Sequence, residues 1–252
     1  MNLSSYFRRA AMAMLPATLL LAASCSKSDT PAPTPVADNG RISVYHMAGS
    51  ANIGLKFLFD DAEKANLTYG QSSLNQSVNT GSRTIKVNVA SSGANVATQA
   101  VTVEKEKSYS YFAYSTSGTQ LAGLLITDDL TPSTAKAKIR FVNLGQGSAS
   151  PLKLSTTAAS AVDIAGTETA FATSSSFVEV LPGSYNVAIT SGTSSNIVYN
   201  VGDGNGTSTA ATGTPANRTY EAGKIYTIVY RGLTGTTVDP ALQPRAVVIQ
   251  NN

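Results

Sequence analysis

Few side chains in this 252-residue sequence are of a type and spacing that could do chemistry. His46 is the only histidine and Cys25 the only cysteine. A nucleophile–base pair would have to be built on His46 alone, and a zinc or copper site needs further His or Cys ligands. Neither a Gly-x-Ser-x-Gly elbow nor a Gly-x-x-x-x-Gly-Lys phosphate loop occurs. Carboxylates remain: Asp60-Asp61, Asp128-Asp129, Glu63, Asp163, Glu168 and Glu179. Two of them facing each other across roughly 5–10 Å could hydrolyse a glycoside. Adjacent aspartates on a strand point to opposite faces, so each doublet is expected in a solvated turn. Asp203-Gly204-Asn205-Gly206 opens like a calcium loop, but Thr214 stands at the twelfth position where such a loop needs Glu. An exposed hairpin tip is expected there, and a charged turn at Glu104-Lys105-Glu106-Lys107. Tyr45, Tyr114 and Tyr199 could stack on sugar rings, although a strand tyrosine more often packs on its neighbours and no Trp is present. The expectation is no catalytic residue, no metal site and no cofactor.

The lone Cys25 has a different explanation. Arg8 and Arg9 precede an apolar run, Ala10 to Ala23, which has the length of a secretory leader's core. A membrane-spanning helix needs about 20 apolar residues, more than this run supplies. Leu21-Ala22-Ala23-Ser24-Cys25 then resembles the lipobox of bacterial lipoproteins, in which the cysteine is acylated and becomes the mature N-terminus. Ala22 stands where the usual box has Leu, with Leu21 one step further back. An ordinary cleaved leader with an incidental cysteine is the alternative. Twin-arginine export fits poorly, because the residues around Arg8-Arg9 differ from that signal. Pro31, Pro33 and Pro35 follow, favouring extended polyproline II and hence a tether between lipid and folded chain. The expected partner is therefore a membrane, through lipid on Cys25 carrying palmitate-type chains.

Charge narrows the remaining partners. Removing Arg8 and Arg9 from 18 basic side chains leaves 16 against 15 acidic ones, a mature net charge of +1. No Lys/Arg cluster remains to follow a phosphate backbone, so no nucleic acid is expected.

The elements that must position any site are strands. Ile42, Val44 and His46 alternate with Ser43 and Tyr45; Leu55, Phe57 and Phe59 alternate with Lys56 and Leu58; Ile85, Val87 and Val89 alternate with Lys86 and Asn88. Tyr185/Val187/Ile189, Ile197/Tyr199/Val201 and Tyr226/Ile228/Tyr230 repeat the pattern. A period of two puts one face on a core and predicts a polar outer face. Short strands broken by Gly, Asn and Ser turns predict an all-β sandwich.

The pattern occurs twice. Arg41-Ile42-Ser43-Val44-Tyr45-His46 matches Lys138-Ile139-Arg140-Phe141-Val142-Asn143, and Gly54-Leu55-Lys56-Phe57 matches Pro151-Leu152-Lys153-Leu154 at the same spacing. Tyr69 pairs with Phe171, and Thr80-Gly81-Ser82 with Pro182-Gly183-Ser184. Lys107-Ser108-Tyr109-Ser110-Tyr111 pairs with Lys224-Ile225-Tyr226-Thr227-Ile228, each followed by an apolar strand, Leu124–Ile126 or Val247–Ile249. His46 and Asn143 occupy one position, and both are expected to hydrogen-bond a nearby turn. The second copy is longer by a Gly/Thr/Ala-rich stretch, 202–217, expected as an exposed loop. Thr131-Pro132-Ser133-Thr134 is a short linker and predicts domains in contact. The organisation read from the sequence is a leader (1–24), a lipidated cysteine and tether (25–38), a first sandwich (39–131) and a second (132–252).

Lys138–Asn143, Leu181-Pro182-Gly183-Ser184-Tyr185-Asn186-Val187 and Ala222-Gly223-Lys224-Ile225-Tyr226-Thr227 resemble the domain of unknown function 4397 over about residues 40–252, most closely in the second copy. The resemblance implies tandem immunoglobulin-like or transthyretin-like sandwiches on exported, lipidated envelope proteins of Bacteroidetes type. It brings no activity and no catalytic residues. The functional expectation is a non-catalytic envelope lipoprotein, on the outer membrane, acting as a structural, binding or adhesion module toward a glycan or an envelope protein. A glycan- or peptide-binding accessory subunit of a nutrient-uptake system is the alternative, and a carboxylate-dependent hydrolase a third class.

Overall fold

Two β-sandwiches with one strand order lie back to back. A computed structural model describes residues 38–50, 53–157, 162–193, 196–235 and 238–252. Cys25, the leader and the tether lie outside the described residues. No helix occurs among those described, and so none that could cross a membrane.

The first sandwich contains β1 (Asn39–Met47), β2 (Leu55–Phe59), β3 (Ala62–Leu67), β4 (Ser72–Asn79), β5 (Gly81–Val89), β6 (Asn95–Val103), β7 (Ser108–Ser115) and β8 (Leu121–Asp128). Its sheets have the orders β4-β1-β7-β8 and β3-β2-β5-β6, with β1 parallel to β7. The alternating residues Ile42, Val44, Leu55, Phe57, Ile85 and Val87 meet Tyr109 and Tyr111 between them.

The second sandwich contains β9 (Ala137–Gln146), β10 (Lys153–Thr156), β11 (Val162–Asp163), β12 (Thr173–Ser174), β13 (Val178–Val180), β14 (Gly183–Tyr185), β15 (Val187–Thr190), β16 (Ile197–Asn200), β17 (Arg218–Tyr220), β18 (Ile225–Leu233) and β19 (Arg245–Gln250). Its two main sheets run β12-β9-β18-β19 and β11-β10-β15-β16, with β13 also on β9 and β9 parallel to β18, and β14 pairs with β17 in a small separate sheet. The sequence anchors therefore fall on equivalent strands: β1 with β9, β2 with β10, β7 with β18, β8 with β19. The long β5 is replaced by β14 and β15, split at Asn186. There the Asn186 side-chain Nδ2 donates to Thr157 Oγ1 (2.6 Å) and Asn200 Oδ1 (3.2 Å).

The likeness extends to single hydrogen bonds. Tyr109 Oη accepts the Glu104 amide at 3.0 Å, and Tyr226 Oη accepts the Glu221 amide at 3.1 Å, five residues upstream in both copies. Each bond fixes the turn that feeds the central parallel strand, and each ring is buried rather than half-exposed.

One expectation fails: the outer faces are not all polar. Tyr45, Met47, Phe112, Val142, Leu144 and Val229 form a third apolar cluster, with Tyr114, Leu124, Ile126 and Ile249 at its margin. These residues lie on the backs of β1, β7, β8, β9, β18 and β19, so these strands carry apolar side chains on both faces. Tyr45 stacks on Phe112 with ring centroids 4.6 Å apart. The result is four stacked sheets with three cores, and Ala37–Asn252 forms one compact unit. Burying each large apolar side chain contributes about 1.5–3 kcal/mol, so this seam is a strong contact.

Candidate interdomain site

The chemistry of the described residues collects along that seam. Along β18 the seam-facing side chains run Thr227, Val229, Arg231. An apolar middle thus has a polar cluster on either side.

At the first cluster Arg140, on β9, is buried between the sandwiches. Its Nη1 lies 2.6 Å from Asp128 Oδ1 at the end of β8, a buried ion pair without hydrogen-bond geometry. Arg140 Nη2 donates to Ser110 Oγ (3.1 Å), whose hydroxyl donates to Asp128 Oδ2 (2.8 Å). Arg140 Nε donates to Thr227 Oγ1 (2.9 Å), which donates to Asn251 Oδ1 (2.8 Å). The Phe177 ring covers the guanidinium at 4.5 Å. Two residues of the first sandwich and three of the second are joined in one network.

At the second cluster Arg231 lies over the Tyr69 ring of the first sandwich, 4.2 Å from its centroid. Its register partner on β19 is Arg245, whose Nη1 and Nη2 donate to Pro244 O (2.8 Å) and Pro240 O (2.9 Å). His46 stands edge-on to Tyr69 at 5.9 Å. Burial pushes His46 down to about 4, with the Arg231 charge adding to this and the Ile53 carbonyl opposing it.

His46 has the role expected of it. Its Nε2 bonds Ile53 O at 2.8 Å and its Nδ1 accepts the Ala48 amide at 3.4 Å. Asn143 repeats this, with Oδ1 accepting the Gly145 amide and Nδ2 donating to Thr169 O, both at 3.4 Å.

The carboxylates do not converge. Asp60, Asp61, Glu63, Asp129, Asp163 and Glu179 each face a cation: Arg83, Lys86, Lys56, Lys138, Lys153 and Lys136. Hydrogen bonds from the Thr84 amide, Thr131, Lys153 and Ser133 hold Asp60, Asp129, Asp163 and Glu179 below the usual carboxylate range. Glu168 is exposed. Asp60-Asp61 forms the β2–β3 turn as expected, with both residues at positive φ. Asp128 does not: it is buried on Arg140, because the seam covers the end of β8. No group of three or more potential metal ligands occurs among the described residues.

Asp203 bonds inside its own turn, accepting from the Asn205 amide and side chain at 3.0 Å. Most of 202–217 is exposed and without strand, as expected of a loop, but its start is no projecting hairpin. Asn205 pairs with Val247, and the Val248 amide donates to Gly204 O (2.8 Å), so it runs along β19. With Tyr199 and Ala246 it encloses a small pocket of about 180 Å³. Of the three candidate sugar-stacking rings, Tyr45 and Tyr199 are buried; Tyr114 is half-buried and edge-on to Phe171 across the seam.

With the repeated topology and its seam established, comparison with known proteins adds one fact. Residues 40–150 match the model of a family described as Domain of unknown function (DUF4397). The match covers β1 to β9, so it falls mainly on the first copy, where the sequence resemblance was expected to be looser. The split of β5 and the 202–217 segment set the second copy apart from the first, on which most of the match falls. No curated protein matches the chain.

The residues of the seam that sequence reasoning missed are Ser110, Arg140, Arg231 and Arg245. One signal was present: Arg140 interrupts the apolar strand run Ile139–Val142, and Arg231 ends the run Ile228–Tyr230.

Proposed function

We propose that this DUF4397 chain is a non-catalytic cell-envelope lipoprotein, anchored by lipid on Cys25, whose two sandwiches act as one rigid structural or binding module. The observation that carries the reading is Leu21-Ala22-Ala23-Ser24-Cys25, placed after an apolar run and before the Pro31-Pro33-Pro35 tether. A lone cysteine at that spacing is explained by acylation, and one acyl chain gives only marginal membrane binding, so stable anchoring needs more than one. The apolar seam supports the rigid-module part of the reading. The outer membrane is the proposed location, with an envelope protein or glycan as the partner. The test is metabolic labelling of the full chain with a palmitate analogue in a bacterial host. The wild type is expected to take up label and partition into detergent, while Cys25→Ser does neither. Equal labelling of the two would contradict the proposal.

A further inference from the structure

Arg231 is 92 % buried by its 8 % exposure, yet its Nε and Nη1 have no acceptor among the described residues. Neither Arg231 nor its strand partner Arg245 forms an ion pair among those residues, where eight other ion pairs occur. Like charges directly opposite on neighbouring strands repel. A buried charge without a partner is strongly destabilising, so two guanidiniums in one seam call for a counter-charge. His46 is held neutral and supplies none.

The surroundings are shaped for a small acceptor. The guanidinium of Arg231 lies between one glycine of each sandwich. A Cβ on Gly70 would come 2.8 Å from Nη2, and one on Gly206 would come 3.6 Å from it. Both glycines have positive φ, +86° and +68°, which lets their turns close on the guanidinium. Tyr69 Oη and Tyr199 Oη are buried without a partner in hydrogen-bond geometry, although Arg231 stands close to the first and Arg245 and Ser208 close to the second. Arg231 and Arg245 both act against the burial-driven rise in the pKa of each of these tyrosines, so all four side chains belong to one neighbourhood. Buried donors left open in this way point to an ion or water that completes them.

We propose that the Arg231–Arg245 end of the seam binds a small monovalent anion, of halide or carboxylate type, as a structural counter-ion between the two sandwiches. The anion accepts from Arg231 Nε and Nη1 and offsets the charge of Arg245. Since residues of both sandwiches surround it, its binding stabilises their docking.

The test uses the full chain in detergent at constant ionic strength, with sodium chloride, sodium bromide or sodium acetate compared against sodium gluconate, whose anion is too bulky for a closed seam. An anion at about ten times its dissociation constant raises the Tm by about 3–6 °C. That rise is expected for the wild type in at least one small anion and is lost in Arg231→Met. Equal Tm values in all four salts, or a rise that persists in Arg231→Met, overturns the proposal. Should Arg231→Met fail to fold, wild-type crystals soaked in bromide and, separately, in acetate decide. Anomalous density from bromide or acetate density beside Arg231 supports the site, and water alone at that position in both soaks overturns it. A rise in acetate without one in the halides assigns the site to carboxylates.

Discussion

Arg140 of the second sandwich and Asp128 of the first are joined by an ion pair at 2.6 Å, with side chains only 1 % and 4 % exposed. They stand on either side of the linker and hold together the sheets that it connects. Removing one partner leaves the other charged and buried. Arg140→Met is expected to destabilise the chain by about 3–5 kcal/mol, and Asp128→Leu with Arg140→Met together by much less, since a matched apolar replacement removes both desolvation costs. Denaturant unfolding of the wild type, the two single variants and the double variant measures this. Additive losses would show that the two residues do not act as a pair.

His46 makes stability depend on pH. Its folded pKa of about 4 lies below the unfolded value of about 6.5, so folding favours the neutral ring. The stabilisation is fully present above pH 6.5 and is lost as pH falls toward 4, by about 3 kcal/mol in all. The depressed carboxylates lose theirs lower, as pH falls through and below their usual range near 4. His46→Asn, which installs the residue found at Asn143, is expected to flatten the curve between pH 6.5 and 4. An unchanged slope in that variant would assign the dependence elsewhere.

The two tyrosine hydroxyl bonds offer a matched pair of probes. Tyr109→Phe and Tyr226→Phe each strip the acceptor from one upstream amide, at Glu104 or Glu221. A loss of about 1 kcal/mol is expected from each, similar in the two sandwiches. A clear loss in only one would show that the copies are equivalent in topology but not in energetics.

The sandwiches were legible because Ile42/Val44, Phe57/Phe59 and Ile85/Val87 alternate, and because the anchors repeat at fixed spacing. The seam was not. Its residues sit on the opposite face of those strands, where Tyr45, Phe112 and Val142 turn the expected polar positions apolar. Runs such as Tyr111-Phe112-Ala113 and Phe141-Val142 already carry the mark of strands buried on both faces. Alternation on the other strands hid it. Asp128 looked like half of a solvated doublet because its partner, Arg140, is supplied by a different sheet, and no local spacing reports such a pairing. The 202–217 segment has the composition of a free loop, but strand-type bonds to Val247 and Val248 tie it down.

A mutation in the apolar middle of the seam tests the same coupling without charge. Phe112 is fully buried there and stacks on Tyr45. Phe112→Ala is expected to cost about 3–5 kcal/mol. It should also separate the unfolding of the two sandwiches, each of which keeps its own core. A single transition at lower temperature would mean the cores depend on each other by another route.

Differential scanning calorimetry of the intact wild-type chain tests the rigid double sandwich most directly. If the seam welds the sandwiches, they melt in a single transition whose calorimetric and van't Hoff enthalpies agree. Two resolved transitions, or a calorimetric enthalpy about twice the van't Hoff value, would show two independent domains merely in contact.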